Sequence, residues 1–163
     1  MLHSDDVLIT TGCQEALSLP LRTLTEPGDV VAVDSPSFYG TMRILKALEI
    51  PIDPRSGISL EARELSLEQW PIKAIQVTPT CKNPLGYSKR ALVALAQRFD
   101  VAIVEDDIYG DLSFDTPRPR TLKSFDGDGR VLLCSAFSKT LVPGLRVGWT
   151  APGRYRDQVL HRK

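Results

Sequence analysis

Lys139 lies in the stretch Ser135-Ala136-Phe137-Ser138-Lys139-Thr140-Leu141-Val142-Pro143-Gly144-Leu145-Arg146-Val147-Gly148-Trp149, between apolar runs at residues 131–134 and 147–151. This spacing puts the lysine in a loop at the end of a strand, among small and hydroxyl residues. Apolar walls and a nearby guanidinium such as Arg146 disfavour an ammonium, and a lysine so placed is a nucleophile that forms Schiff bases with carbonyl groups. Taken alone, the stretch reads equally well as a solvated lysine after a strand.

Four other places carry groups able to do chemistry. The apolar run 101–104 delivers Glu105-Asp106-Asp107-Ile108-Tyr109, and three adjacent carboxylates at a strand end are costly unless they bind something. A metal is the obvious rival reading and ranks low, because no histidine cluster or second acidic group accompanies them. Gly12 separates a β-branched run at residues 7–11 from a helical pattern that starts at Cys13. Free N–H groups at such a helix start suit an anion, although any strand-to-helix unit of an α/β fold can look like this. Asn83-Pro84-Leu85-Gly86 is a turn sequence just after the strand pattern 73–78, and the carboxyl ends of strands are where open α/β sheets bind ligands. Ser35-Pro36-Ser37-Phe38-Tyr39-Gly40 sets two rings in another such turn, where simple packing under the turn is the competing reading.

The elements that must hold these residues follow from periodicity. Ala16, Leu17, Leu19, Leu21 and Leu24 predict a helix closed by Pro27-Gly28, with Pro20 expected to kink or interrupt it. A strand over 29–34, a helix over 41–48 and a strand running from 50 into a turn at 57 come next. Residues 60–70 predict an exposed helix with a scaffold role, and 73–78 a strand. Residues 88–99 predict an amphipathic helix with Ser88 at its N-cap. The run 101–104 is continuous in apolar residues, as buried parallel strands are. Residues 114–129 read as a surface loop with a short helical turn near 122–124, residues 131–134 and 147–151 as the last two strands, and 154–162 as the start of a helix. This alternation predicts an α/β fold, a mostly parallel sheet with helices on both faces.

Composition narrows the partners. The 163 residues suffice for one domain with a sizeable core. With 20 basic and 20 acidic residues there is no electrostatic case for nucleic acid or a membrane surface. Arg154, Arg156, His161, Arg162 and Lys163 make the last segment locally positive and read as a solvated helix face. Cys13, Cys81 and Cys134 are odd in number and have no metal-ligand spacing, which suggests a reducing compartment. Residues 1–6 have no basic region and no long apolar run. The expectation is a cytoplasmic protein without signal peptide or membrane span.

Ser138-Lys139 followed by Pro143-Gly144-Leu145-Arg146-Val147-Gly148-Trp149 closely resembles the cofactor-lysine segment of fold-type I pyridoxal 5′-phosphate (PLP) enzymes, the class I/II aminotransferases. Thr11-Gly12-Cys13-Gln14-Glu15-Ala16, Pro36-Ser37-Phe38, Asn83-Pro84-Leu85-Gly86 and Asp106-Asp107-Ile108-Tyr109 are similar to further motifs of that family, in its order. The resemblance implies PLP on Lys139. It implies a phosphate docked at Gly12, Cys13 and Gln14 and paired with Arg146, with Ser138 assisting. Phe38 would stack on the pyridine, with Tyr39 as runner-up. Asn83 and Tyr109 would reach the phenolate oxygen, and Asp106 would hold the pyridine nitrogen protonated. Glu105 and Asp107 are expected to face solvent or cap neighbouring groups. Three departures stand out: Ala136 where the family commonly has a hydroxyl, Lys82 before Asn83, and a helix that starts soon after Gly86.

The function implied by the resemblance is transamination between an amino acid and a 2-oxo acid, with Lys139 as general acid and base and a homodimer as the family's assembly. The family's N-terminal arm and C-terminal small domain are not seen, so the expectation is a fragment of the large domain spanning residues 1–163. Among subfamilies the motifs look most similar to the MocR branch of GntR regulators, where such a domain follows a winged helix. A module that senses PLP or its amino-acid adduct without turnover is therefore the alternative, and an inert remnant is the third.

Overall fold

The computed structural model describes residues 3–35, 46–53, 57–58, 60–80, 86–113 and 117–163. Among these, strands β1 (Leu8–Thr10), β2 (Val30–Ser35), β3 (Lys46–Asp53), β4 (Gly57–Ile58), β5 (Ile72–Val77), β6 (Ala102–Asp106), β7 (Val131–Ala136) and β8 (Gly148–Ala151) form one sheet in the order β1-β8-β7-β6-β5-β2-β3-β4. The run from β7 through β6, β5 and β2 to β3 is parallel, whereas β8 is antiparallel to both β7 and β1, and β4 to β3. Two reversals at β8 restore the direction, so β1 runs the same way as β7. The carboxyl ends of β1, β2, β5, β6 and β7 therefore leave one edge of the sheet, the edge where open α/β sheets build ligand sites.

Helices α1 (Cys13–Leu24), α2 (Leu60–Gln69), α3 (Gly86–Arg98) and α4 (Arg156–Arg162) cover the sheet from both sides. On one face Ile75, Val77 and Ile103 pack with Leu92, Val93 and Ala96 of α3 and with Leu122. On the other, Val31, Val33, Ala74, Val104 and Cys134 pack with Ala16, Leu17 and Leu21 of α1, and Val159 of α4 joins Leu8, Leu19, Ala102 and Leu132. Every residue of β6 and β7 is buried. That explains why their apolar runs are continuous rather than alternating, and the α/β architecture is the one expected.

Several elements differ from their sequence expectation. Helix α1 runs unbroken through Pro20. A proline leaves the carbonyl four residues earlier without its helical donor, and here the Cys134 thiol donates to the Ala16 oxygen at 2.9 Å. The helix expected over 41–48 is corrected at its end: Lys46, Ala47 and Leu48 pair with Val30, Val31 and Ala32 of β2, so sheet pairing overrides a helical pattern. Residues 41–45 lie outside the described residues. Helix α2 is not simply exposed, since Arg63 is buried and paired with Asp34 of β2, and burial pulls its pKa down to about 10. Helix α3 begins at Gly86, which puts Ser88 inside the first turn rather than at the N-cap. The short turn near residue 122 is a 3-10 turn, Leu122–Phe125, and another, Gly153–Tyr155, precedes α4.

Candidate functional site

Gly12 and Lys139 follow β1 and β7 at the shared sheet edge, and Asp106 ends β6 there. Gly12 caps α1 with φ +91°, a backbone angle that L side chains rarely adopt. It is also pressed from two sides. A Cβ built on it would stand 3.3 Å from Cζ of Arg146, and a Cβ on Gly148 of β8 would stand 2.6 Å from the Gly12 carbonyl carbon. The first N–H groups of α1, Cys13 and Gln14 among them, have no partner inside the helix. Glu15 folds back to accept the Thr11 N–H at 2.6 Å and the Thr11 hydroxyl at 2.7 Å. Arg146, at φ +51°, donates to the Thr11 carbonyl at 3.1 Å. A helix start and a guanidinium thus meet over a glycine, an arrangement suited to an oxyanion.

Asp106 ends β6 and is buried. Its Oδ1 accepts the Ile108 N–H at 3.2 Å and the Cys13 thiol at 3.7 Å. Burial and then the Asp106 charge push the Cys13 thiol well above the usual range, while the Lys139 charge pulls the other way. The lysine is thus near enough for its field to reach the start of α1. Lys139 Nζ lies 6.0 Å from the centroid of the Tyr109 ring. The expected apolar walls around the lysine are corrected: Lys139 and Arg146 are exposed, as are Phe137, Leu141, Val142 and Leu145. Ser138 is half-buried in the same loop and Gln14 is exposed at the start of α1. Phe38, Tyr39 and Asn83 lie outside the described residues.

The two carboxylates beside Asp106 do not face solvent. Glu105 is buried and accepts the Leu122 and Lys123 N–H groups at 2.7 and 3.0 Å, so of the two expected roles it takes the capping one. Burial pushes its pKa up to about 7 against the pull of those two donors. Asp107 accepts the Thr80 hydroxyl at 2.5 Å and the Arg118 guanidinium at 2.6 Å, and Ser135 donates to its carbonyl at 3.2 Å. Where Ala136 replaces the expected hydroxyl, its neighbour Ser135 supplies one to the chain after β6.

Sequence reasoning missed Thr80, Arg118 and Lys89. Lys89 is buried and donates to the Arg120 carbonyl at 2.8 Å. It stands three, four and seven residues before Leu92, Val93 and Ala96, so a charge on the apolar stripe of α3 was the legible sign of a polar cluster beneath the helix. Thr80 and Arg118 offered no comparable signal. Among the described residues no group of three His, Cys, Asp or Glu side chains could hold a metal ion, and no helix is long and apolar enough to cross a membrane. An anion seat, a buried carboxylate and an amine on one edge form a donor set that fits a phosphorylated, nitrogen-containing aldehyde.

Comparison with known proteins gives the family. A family profile described as "Aminotransferase class I and II" matches residues 2–156. The chain is 56% identical over its whole length to the uncharacterized HTH-type transcriptional regulator YjiR of Escherichia coli, of which it covers 37%. Over 90% of its length it is 34% identical to aromatic-amino-acid aminotransferase 1 of Thermococcus litoralis, of which it covers 38%. The crystal structure of Pyrococcus horikoshii kynurenine aminotransferase, in complex with PMP, superposes on 99% of the chain with a TM-score of 0.85 at 32% identity, the match taking in 44% of that chain. The chain thus spans well under half of the proteins it matches, and it belongs to the aminotransferase class I and II family.

Proposed function

We propose that this chain is a PLP-binding aminotransferase-type domain acting on an amino acid and a 2-oxo acid. The observation that carries the reading is the meeting, at one sheet edge, of the Lys139 amine, the buried Asp106 carboxylate and the seat made by Gly12, the start of α1 and Arg146. Lys139 would hold the cofactor, with Gly12, Cys13, Gln14, Ser138 and Arg146 at its phosphate, Asp106 at the ring nitrogen, Tyr109 and Asn83 at the phenolate oxygen and Phe38 on the ring. When bound, PLP supplies the electron sink for a carbanion at the substrate α-carbon. Asp106 keeps a proton on the ring nitrogen by its negative charge. The Lys139 amine takes the α-proton and returns it as general base and acid. Exposed Leu141 and Leu145, 65% and 57% accessible, support a homodimer that covers the lysine loop.

The 56% identity to an HTH-type regulator favours a second reading, in which the same site binds PLP or its amino-acid adduct as an effector without turnover. PLP added to the purified chain, followed by visible absorption with Lys139→Ala as control, tests both. A shifted band present only in the wild type supports the site. Consumption of an amino acid and a 2-oxo acid then marks an enzyme, whereas a spectral change without turnover marks a sensor. A free-PLP spectrum in both proteins overturns the cofactor reading and leaves an inert domain.

A further inference from the structure

The Cys13 thiol and the Asp106 carboxylate are 93 residues apart in sequence and come from different elements, the first turn of α1 and the end of β6. Two donors converge on one oxygen, Asp106 Oδ1: the Ile108 N–H at 3.2 Å, carried by the chain that leaves β6, and the Cys13 Sγ–H at 3.7 Å, carried by the helix. Two donors from independent elements restrict the rotation of a carboxylate more than one can. The Cys13 proton is also a stable one. Burial and the neighbouring negative charge keep the thiol protonated at neutral pH, so it serves as donor and not as nucleophile. The same residue begins the helix whose free N–H groups face the anion seat, and its backbone is fixed there by Gly12 and by the close approach of Gly148.

We infer that Cys13 is a positioning residue whose thiol orients the Asp106 carboxylate and ties it mechanically to the anion seat at the start of α1. This rests on the proposal that the site takes PLP, because only then do the carboxylate and the seat grip two ends of one molecule. Distance between those grips is set by α1 and β6 together, and the thiol is a side-chain link between them. A serine at position 13 would keep the link through a stronger donor, and an alanine would remove it.

Two measurements test the link. In the cofactor-free chain, the rate of iodoacetamide alkylation at Cys13, followed by peptide mass spectrometry, should rise several-fold on Asp106→Asn, since the charge that opposes the thiolate is gone. An unchanged rate overturns the contact. In the PLP titration, Cys13→Ala should weaken binding by roughly 3- to 10-fold, the equivalent of one hydrogen bond, and move the wavelength of the Lys139-dependent band. Cys13→Ser should restore both, which a loss of packing alone would not allow. Wild-type affinity and wavelength in Cys13→Ala overturn the inference while leaving the PLP proposal intact. If the wild type shows no Lys139-dependent band, the PLP proposal fails and the positioning role with it. The alkylation rates then still report whether the two side chains touch, so the two failures are distinct. Should Asp106→Asn not fold, the serine and alanine pair decides.

Discussion

Three consecutive carboxylates end β6, and each is bound differently. Asp106 accepts the Ile108 N–H and the Cys13 thiol, Glu105 binds the N–H groups of the turn Leu122–Phe125, and Asp107 binds Thr80 and Arg118. Glu105 titrates from an ordinary 4.5 up to about 7 because burial disfavours its charge. A carboxyl whose folded pKa is raised gives the native state an advantage that is complete below pH 4.5 and disappears as pH rises through about 7. Glutamine has no such titration. The stability of wild type relative to Glu105→Gln should therefore fall by about 3 kcal/mol between acid and mildly alkaline pH. Urea unfolding of both proteins at about pH 4 and about pH 8 measures this. A difference that does not change with pH would mean that Glu105 ionises as an exposed group does. The position of Asp106 was legible, since a strand end followed by a tyrosine three residues on has a recognisable spacing. The partners of its neighbours were not, because Leu122, Lys123 and Arg118 reach β6 from a segment that reads as a surface loop with one short helical turn.

At the scale of elements, α1 shows how tertiary contacts rewrite a local rule. Pro20 should break a helix, and in isolation the Ala16 carbonyl would lack a donor. Strand β7 places the Cys134 thiol 2.9 Å from that oxygen, and the carbonyl is buried but bonded. Cys134→Ala should therefore cost about 1–3 kcal/mol beside Pro20, the penalty of an unsatisfied buried acceptor. With Pro20→Ala the helix supplies its own N–H, and the same cysteine change should cost about 1 kcal/mol less. A double-mutant cycle in urea separates this coupling from the lost volume of the thiol. Additive effects would show that the sulfur contact carries no energy. The apolar spacing of α1 was readable, as was the amphipathic stripe of α3. The fate of Lys46, Ala47 and Leu48 was not, because a partner strand decides it. The burial of Arg63 was equally hidden among the glutamates of α2.

At the scale of the whole molecule, strand order brings separate motifs to one edge of the sheet. Gly12 and Lys139 follow β1 and β7 and Asp106 ends β6, and they leave the same edge because β8 reverses twice and returns β1 to the direction of the parallel strands. The order also grades local stability. Strands β6 and β7 are buried along their whole length and have neighbours on both sides, whereas β1 and β4 are the edges, and β4 is two residues long. Amide hydrogen exchange should accordingly be slowest at Ile103, Val104, Leu132 and Leu133, and fastest at Ile58. Addition of PLP should slow exchange at the first turn of α1, at residues 106–109 and in the lysine loop, and leave β4 unchanged. These segments share no contiguous sequence, so joint protection is expected only of a ligand seated at the common edge. Protection confined to one of them would mean surface binding. Exchange at Ile103 as fast as at Ile58 would mean that the sheet does not close around its parallel centre, and the site geometry would then have no scaffold to rest on.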